Sequence, residues 1–184
     1  MPERSEPDWS ELIEKYGPLV WRTVSRLVSH EADAADCFQE TFVAAWSSAG
    51  REAIEHWPGF LKSVATTTAL KRLRERYRQP KGELPDVVAT GQGIVSDEHA
   101  EATELAEHLR QALAELDPRQ AEAFCLICLE GASYAEAAGQ LGITETNVGV
   151  ILSRARQRLR AHLKEFAPFQ PEITPARAPG SESR

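Results

Sequence analysis

The sequence predicts an all-α fold, built as two small helical domains joined by a flexible linker. Three observations carry that expectation. Apolar residues recur at helical spacing through most of the chain, and no stretch alternates apolar with polar residues as a half-buried strand would. Helix-starting and helix-stopping residues punctuate those periods. Between residues 79 and 96, Pro80, Gly82, Pro85, Gly91 and Gly93 interrupt every period. A length of 184 residues allows two small domains, and 42% hydrophobic residues are enough for packed cores.

The elements follow in order. Leu12, Ile13, Tyr16, Leu19, Val20, Val24, Leu27 and Val28 mark a first helix, with Pro18 predicting a kink or break after Tyr16. A second helix spans about Glu31 to Ser48, with Ala35, Phe38, Phe42, Ala45 and Trp46 on its apolar face and Gly50 as its stop. A third begins near Trp57-Pro58, and Phe60, Leu61, Val64, Ala65, Thr68 and Leu73 form its apolar face. Beyond the linker, an acidic helix runs from about Asp97 to Leu116, and Asp117-Pro118 opens another that ends near Gly131. Ser133 and Glu136 form a capping box for a short helix to Leu141. After the Gly142 turn, Thr144 caps a long helix reaching about Phe166. Pro168, Pro171, Pro175 and Pro179 predict an extended or disordered tail. The expected divisions are therefore 1–78, 79–96, 97–166 and 167–184.

Composition excludes several classes. The longest apolar run, Phe124 to Leu129, is far below the roughly 18 residues that span a bilayer. Met1-Pro2-Glu3-Arg4-Ser5-Glu6 lacks the regions of a signal peptide, and three cysteines make no disulfide framework. A cytoplasmic protein without membrane insertion is expected. The net charge of −7 speaks at first against nucleic acid. Resolved by segment, it is −6 over 1–61, +6 over 62–81, −11 over 82–146 and +5 over 147–164. Phosphate binding responds to the field within a Debye length of about 8–10 Å, so two basic blocks inside an acidic chain carry information.

The second block closes a short capped helix, a glycine turn and a longer Arg-rich helix, the layout of a helix-turn-helix. Groove fitting turns the N-terminal side chains of the second helix toward base edges: Thr144, Glu145, Thr146, Asn147 and Val150. Asn can pair with adenine, and Val can meet a thymine methyl. Arg154, Arg156, Arg158 and Arg160 lie further along as phosphate contacts, while Val148, Leu152, Ala155 and Leu159 form the core stripe.

Together the two halves resemble a family. Asp33-Ala-Ala-Asp36-Cys-Phe-Gln39-Glu40-Thr-Phe42-Val-Ala-Ala-Trp46 looks like the region 2 signature of bacterial RNA polymerase sigma factors. The stretch from Leu129 through Tyr134, Leu141-Gly-Ile143 and Val148 to Arg160 resembles their region 4 helix-turn-helix. The order, linker and length are similar to the extracytoplasmic-function group, over roughly residues 10–164.

The resemblance implies partners and roles. Core RNA polymerase would dock on Asp36, Gln39 and Glu40. The minus-ten promoter element would meet Lys71, Arg72, Arg74, Arg76 and Arg78, with Trp57, Phe60 and Tyr77 more often core than stacking platforms. The minus-thirty-five element would be read by Thr146, Asn147 and Val150. An anti-sigma factor is a further partner that the resemblance admits. The chain departs from the family's pattern at Phe60 and Thr67, where Trp and Asn are usual, and at Gly149-Val150-Ile151, where Lys-Ser-Arg is common. Weaker or differently specified upstream contacts are expected.

Cys125-Leu-Ile-Cys128 lies in an apolar run with no second ligand pair and is expected to be core packing, not zinc or redox chemistry. No catalytic site, metal site or cofactor is read. Two rivals stay open: a stand-alone helix-turn-helix regulator with a dimerising or sensing first domain, and a thiol enzyme using Cys125 and Cys128. The acidic surroundings of both basic blocks imply a reader that binds DNA poorly alone.

Overall fold

The computed structural model describes residues 7–51, 53–78 and 97–164, with the side chains of 97–101 outside the description. The expected linker over 79–96 and the tail after 166 lie outside these residues. Among the described residues the secondary structure is helical.

The first half is α1 (Trp9–Leu27), α2 (Glu31–Ala49) and α3 (Trp57–Arg78). Asp8 starts α1 by accepting the N–H of Ser10 at 2.9 Å and of Glu11 at 3.2 Å. The expected break at Pro18 does not occur, and α1 is continuous through it. Pro18 and Glu14 are both exposed, so the carbonyl that loses its i→i−4 donor sits on the solvent side. Val20, Val24, Leu27, Leu61 and Leu70 are essentially inaccessible and form the centre of the bundle. Phe60, Val64 and Thr68 flank it, half-buried. Trp46, expected on the apolar face of α2, is instead 62% exposed. It stands one position beyond Ala45, and that single 100° step carries it off the buried stripe.

The second half is α4 (Asp97–Glu115), α5 (Pro118–Phe124), a π-helical turn (Cys125–Leu129), α6 (Tyr134–Leu141) and α7 (Glu145–Leu163). Where one regular helix to Gly131 was expected, the N–H of Glu130 donates to the carbonyl of Cys125, five residues back, at 3.0 Å. The wider turn corrects the reading of the cysteine pair. Cys125 is buried, but Cys128 is rotated out and exposed.

The two halves pack against each other. Ala112, Leu113, Leu116, Ala121, Cys125, Ala155 and Leu159 join the same buried cluster as the residues of α1–α3. Polar contacts cross the seam. Arg26 Nη1 donates to the carbonyl of Leu129 at 2.5 Å and to Glu130 Oε1 at 3.2 Å, and Lys62 Nζ donates to the carbonyl of Glu130 at 3.0 Å. Arg110 Nε donates to the carbonyl of Arg26 at 3.2 Å. A second, smaller cluster of Ala137, Ala138 and Val148 lies beneath α6 and α7. No helix of the described residues is long and apolar enough to cross a membrane.

Candidate nucleic-acid interface

Local chemistry builds the α6–α7 unit. Ser133 Oγ accepts the N–H of Glu136 at 3.2 Å, and Glu136 Oε2 accepts the N–H of Ser133 at 2.7 Å, closing the expected capping box. Those bonds from Ser133 hold the Glu136 carboxyl below its ordinary value. Gly142 ends α6 at φ 64, a left-handed conformation that costs a side-chain-bearing residue about 1 kcal/mol or more. Thr144 Oγ1 then accepts the N–H of Asn147 at 3.3 Å and starts α7.

Burial of Val148, Leu152, Ala155 and Leu159 sets the rotation of α7. The opposite side presents Thr144, Thr146, Asn147 and Val150, all exposed, with Arg154, Arg156, Arg158 and Arg160 exposed below them. Beside it, an open groove of about 730 Å³ is lined by Tyr134, Gly149, Arg156, Arg160 and Lys164. Three cations with an aromatic wall suit a phosphodiester backbone. Of the Gly149-Val150-Ile151 positions, only Val150 is fully presented, at 46% exposure. Gly149 and Ile151 are half-buried.

On α2, Asp36, Gln39 and Glu40 are exposed on one face, as the three- and four-residue spacing requires. Val43, at 61% exposure, and Trp46 extend that face with apolar surface. Sequence reasoning missed both as surface residues. The available signal was the spacing of Val43 three residues after Glu40 and Trp46 seven after Gln39.

The basic residues of α3 divide. Lys71 and Arg78 are exposed. Arg72 instead faces α2, 3.4 Å from Asp36 Oδ2, 3.7 Å from Glu40 Oε1 and 3.9 Å from Asp33 Oδ1. Partial burial opposes its charge, but Cys37 and the carboxylates outweigh that and raise its pKa. Residues placed in separate functional groups by sequence, Arg72 in one and Asp36 and Glu40 in the other, therefore meet. Arg76 Nη1 donates to Ser29 Oγ at 3.2 Å, and its Nη2 lies 3.9 Å from Glu107 Oε1. Arg74 is half-buried, and its Nε and Nη2 have no hydrogen-bond partner among the described residues. Tyr77 donates its hydroxyl to Glu107, and burial together with that carboxylate pushes the phenol pKa upward. Trp57 packs edge-on against Trp9 at 5.7 Å and Phe60 at 6.3 Å, a core arrangement.

Cys128 Sγ lies 3.5 Å from Arg156 Nη2, whereas burial drives the thiols of Cys37 and Cys125 upward in pKa. Among the described residues, no group of His, Cys, Asp or Glu is placed to hold a metal ion.

Residues 12–79 match the family model for sigma-70 region 2, and residues 106–159 match that for sigma-70 region 4. The chain is 30% identical over 163 residues to the ECF RNA polymerase sigma factor SigE of Mycolicibacterium smegmatis, covering 88% of this chain but 63% of that relative. It is 30% identical over 146 residues to SigC of Mycobacterium tuberculosis, covering 77% and 76% of the two chains. Among solved structures, the sigma factor RpoE of Bartonella quintana, in complex with the anti-sigma factor NepR, aligns with a TM-score of 0.53 at 25% identity. That alignment covers 85% of this chain and 97% of RpoE. CnrH, in complex with the cytosolic domain of CnrY, shares the fold with a TM-score of 0.56 at 23% identity, over 85% and 88% of the chains. With both regions matched in order, the chain belongs to the ECF group of sigma-70-family RNA polymerase sigma factors.

Proposed function

We propose that the chain is a non-catalytic promoter-specificity subunit that binds core RNA polymerase and directs transcription initiation in the cytoplasm. The observation that carries this is the α7 surface, whose exposed polar N-terminal end and basic flank are fixed by a buried apolar stripe. Residues 97–166 are the upstream reader: Thr144, Thr146, Asn147 and Val150 face bases, and Arg154, Arg156 and Arg158 hold phosphates. Residues 1–78 dock the polymerase through Asp36, Gln39 and Glu40 and engage the minus-ten element through Lys71, Arg72, Arg74, Arg76 and Arg78. Val43 and Trp46 add apolar area to the docking face. An anti-sigma factor is a further partner, a reading supported by the relative RpoE, solved with NepR.

Run-off transcription with core polymerase tests the proposal. Wild type is expected to give promoter-directed product from a genomic promoter library. Asp36→Ala/Gln39→Ala and Arg154→Ala/Arg156→Ala are each expected to lose most of it. No product from wild type on any promoter refutes the reading.

A further inference from the structure

We infer that Val150 is a specificity-determining residue of α7 that reads the 5-methyl group of a pyrimidine, on thymine or on 5-methylcytosine. The inference rests on the promoter reading above and names the chemistry that its upstream site selects. Burial of Val148, Leu152 and Ala155 turns Val150 outward, at 46% exposure. One turn away on the same face stand Thr146, Asn147, Ser153 and Arg154, all exposed and polar. The apolar spot is therefore one side chain wide. That is far less than a partner helix covers, and it matches a single methyl.

The surrounding residues favour this contact over others. Between residues 144 and 153 the only charged side chain is Glu145, so these turns offer no ammonium or guanidinium to the O6 and N7 of guanine. Valine has neither donor nor acceptor, and the one apolar group on a major-groove base edge is a pyrimidine C5 methyl. Being β-branched, Val150 holds one preferred rotamer in a helix, so contact orders little that was free. Its reach is short, and the chain beside it is cut back to suit. Gly149 has no side chain, and a Cβ there would meet the Tyr134 ring at 3.7 Å. Ile151, on the other side, is half-buried. The backbone of α7 can thus approach the groove floor closely at the residue that needs it. Thymine and 5-methylcytosine carry the same methyl at the same place, and Val150 is indifferent to the oxygen or amine beside it. Cytosine methylation would therefore register as a gain in binding.

The test uses the full chain bound to core polymerase, on promoter duplexes recovered from a genomic library. Each thymine of the upstream element is replaced singly by deoxyuridine, and each cytosine by 5-methylcytosine. Holoenzyme affinity and run-off product are measured. Wild type is expected to lose about three- to fivefold in affinity at one thymine-to-deoxyuridine change, the worth of one buried methyl. At that position cytosine should bind no better than deoxyuridine, and 5-methylcytosine should recover the same factor over cytosine. Val150→Ile should keep the methyl dependence. Val150→Ser and Val150→Ala, whose side chains fall short of the methyl, should each bind thymine and deoxyuridine duplexes equally. No methyl-sensitive position in wild type overturns the inference. So does unchanged sensitivity in Val150→Ser and Val150→Ala, the mark of DNA stiffness and not of contact. In both cases promoter-directed product from wild type leaves the promoter reading intact, whereas absent wild-type product removes that reading and the inference with it.

Discussion

The three cysteines differ in surroundings enough to be told apart chemically. Cys37 and Cys125 are buried with thiols raised in pKa, and Cys128 is exposed beside Arg156. A disulfide-exchange reagent on the native protein is expected to titrate one fast thiol per chain, lost in Cys128→Ser, with the other two appearing only on unfolding. In the core, Leu61 and Leu70 are fully buried, so Leu70→Ala should destabilise by about 2–5 kcal/mol in urea unfolding. Glu122 gives a pH-dependent case. Burial raises its pKa against the opposing pull of Arg74 and Arg119. A raised carboxylate favours folding only while protonated, so its charge disfavours the fold at neutral pH. Glu122→Gln should therefore raise the urea midpoint at pH 7, and that gain should vanish as pH falls below the ordinary carboxylate range.

At the scale of elements, α6 and α7 were the most legible, because caps, glycine turn and apolar stripe are all encoded within a few residues of the structure they make. Gly149 illustrates what local reading leaves out. Its helix-weakening effect is evident from sequence, but its neighbour is not. A methyl group there would sit 3.7 Å from the Tyr134 ring, an ordinary contact. Gly149→Ala should stabilise the protein by about 0.5–1 kcal/mol, read as a shift in denaturant midpoint, with the groove walls kept. The π turn was not legible, because the run Phe124 to Leu129 is apolar at every register and marks no face. That is why Cys128 was assigned to the core. Acid should loosen α6 first at its start. Glu136 is held below its ordinary pKa, so its contribution is present above the unfolded value and lost as pH falls through the folded one. Faster amide exchange at Ser133 and Glu136 on acidification would show it.

At the scale of the molecule, the expected division into two domains matches the two family regions, yet the two halves share one buried cluster. Periodicity shows which face of a helix is apolar but not which other helix covers it, so the seam was illegible. A shared cluster predicts one cooperative calorimetric transition for wild type, and the Glu107→Gln/Glu130→Gln variant should separate it into two. The site was legible as a set of residues and illegible as a set of partners. Arg72 was read as a phosphate contact because its neighbours in sequence are basic, whereas its neighbours in space are Asp33, Asp36 and Glu40.

That guanidinium makes two binding events thermodynamically interdependent. A cationic partner that draws Asp36 and Glu40 away from α3 leaves Arg72 with fewer carboxylates, and so more available to an anion. Linkage is reciprocal, so an anion that claims Arg72 must tighten the hold of the cationic partner by the same factor. With Arg72→Ala, that mutual reinforcement should disappear, measured as polymerase affinity that no longer changes when promoter DNA is added.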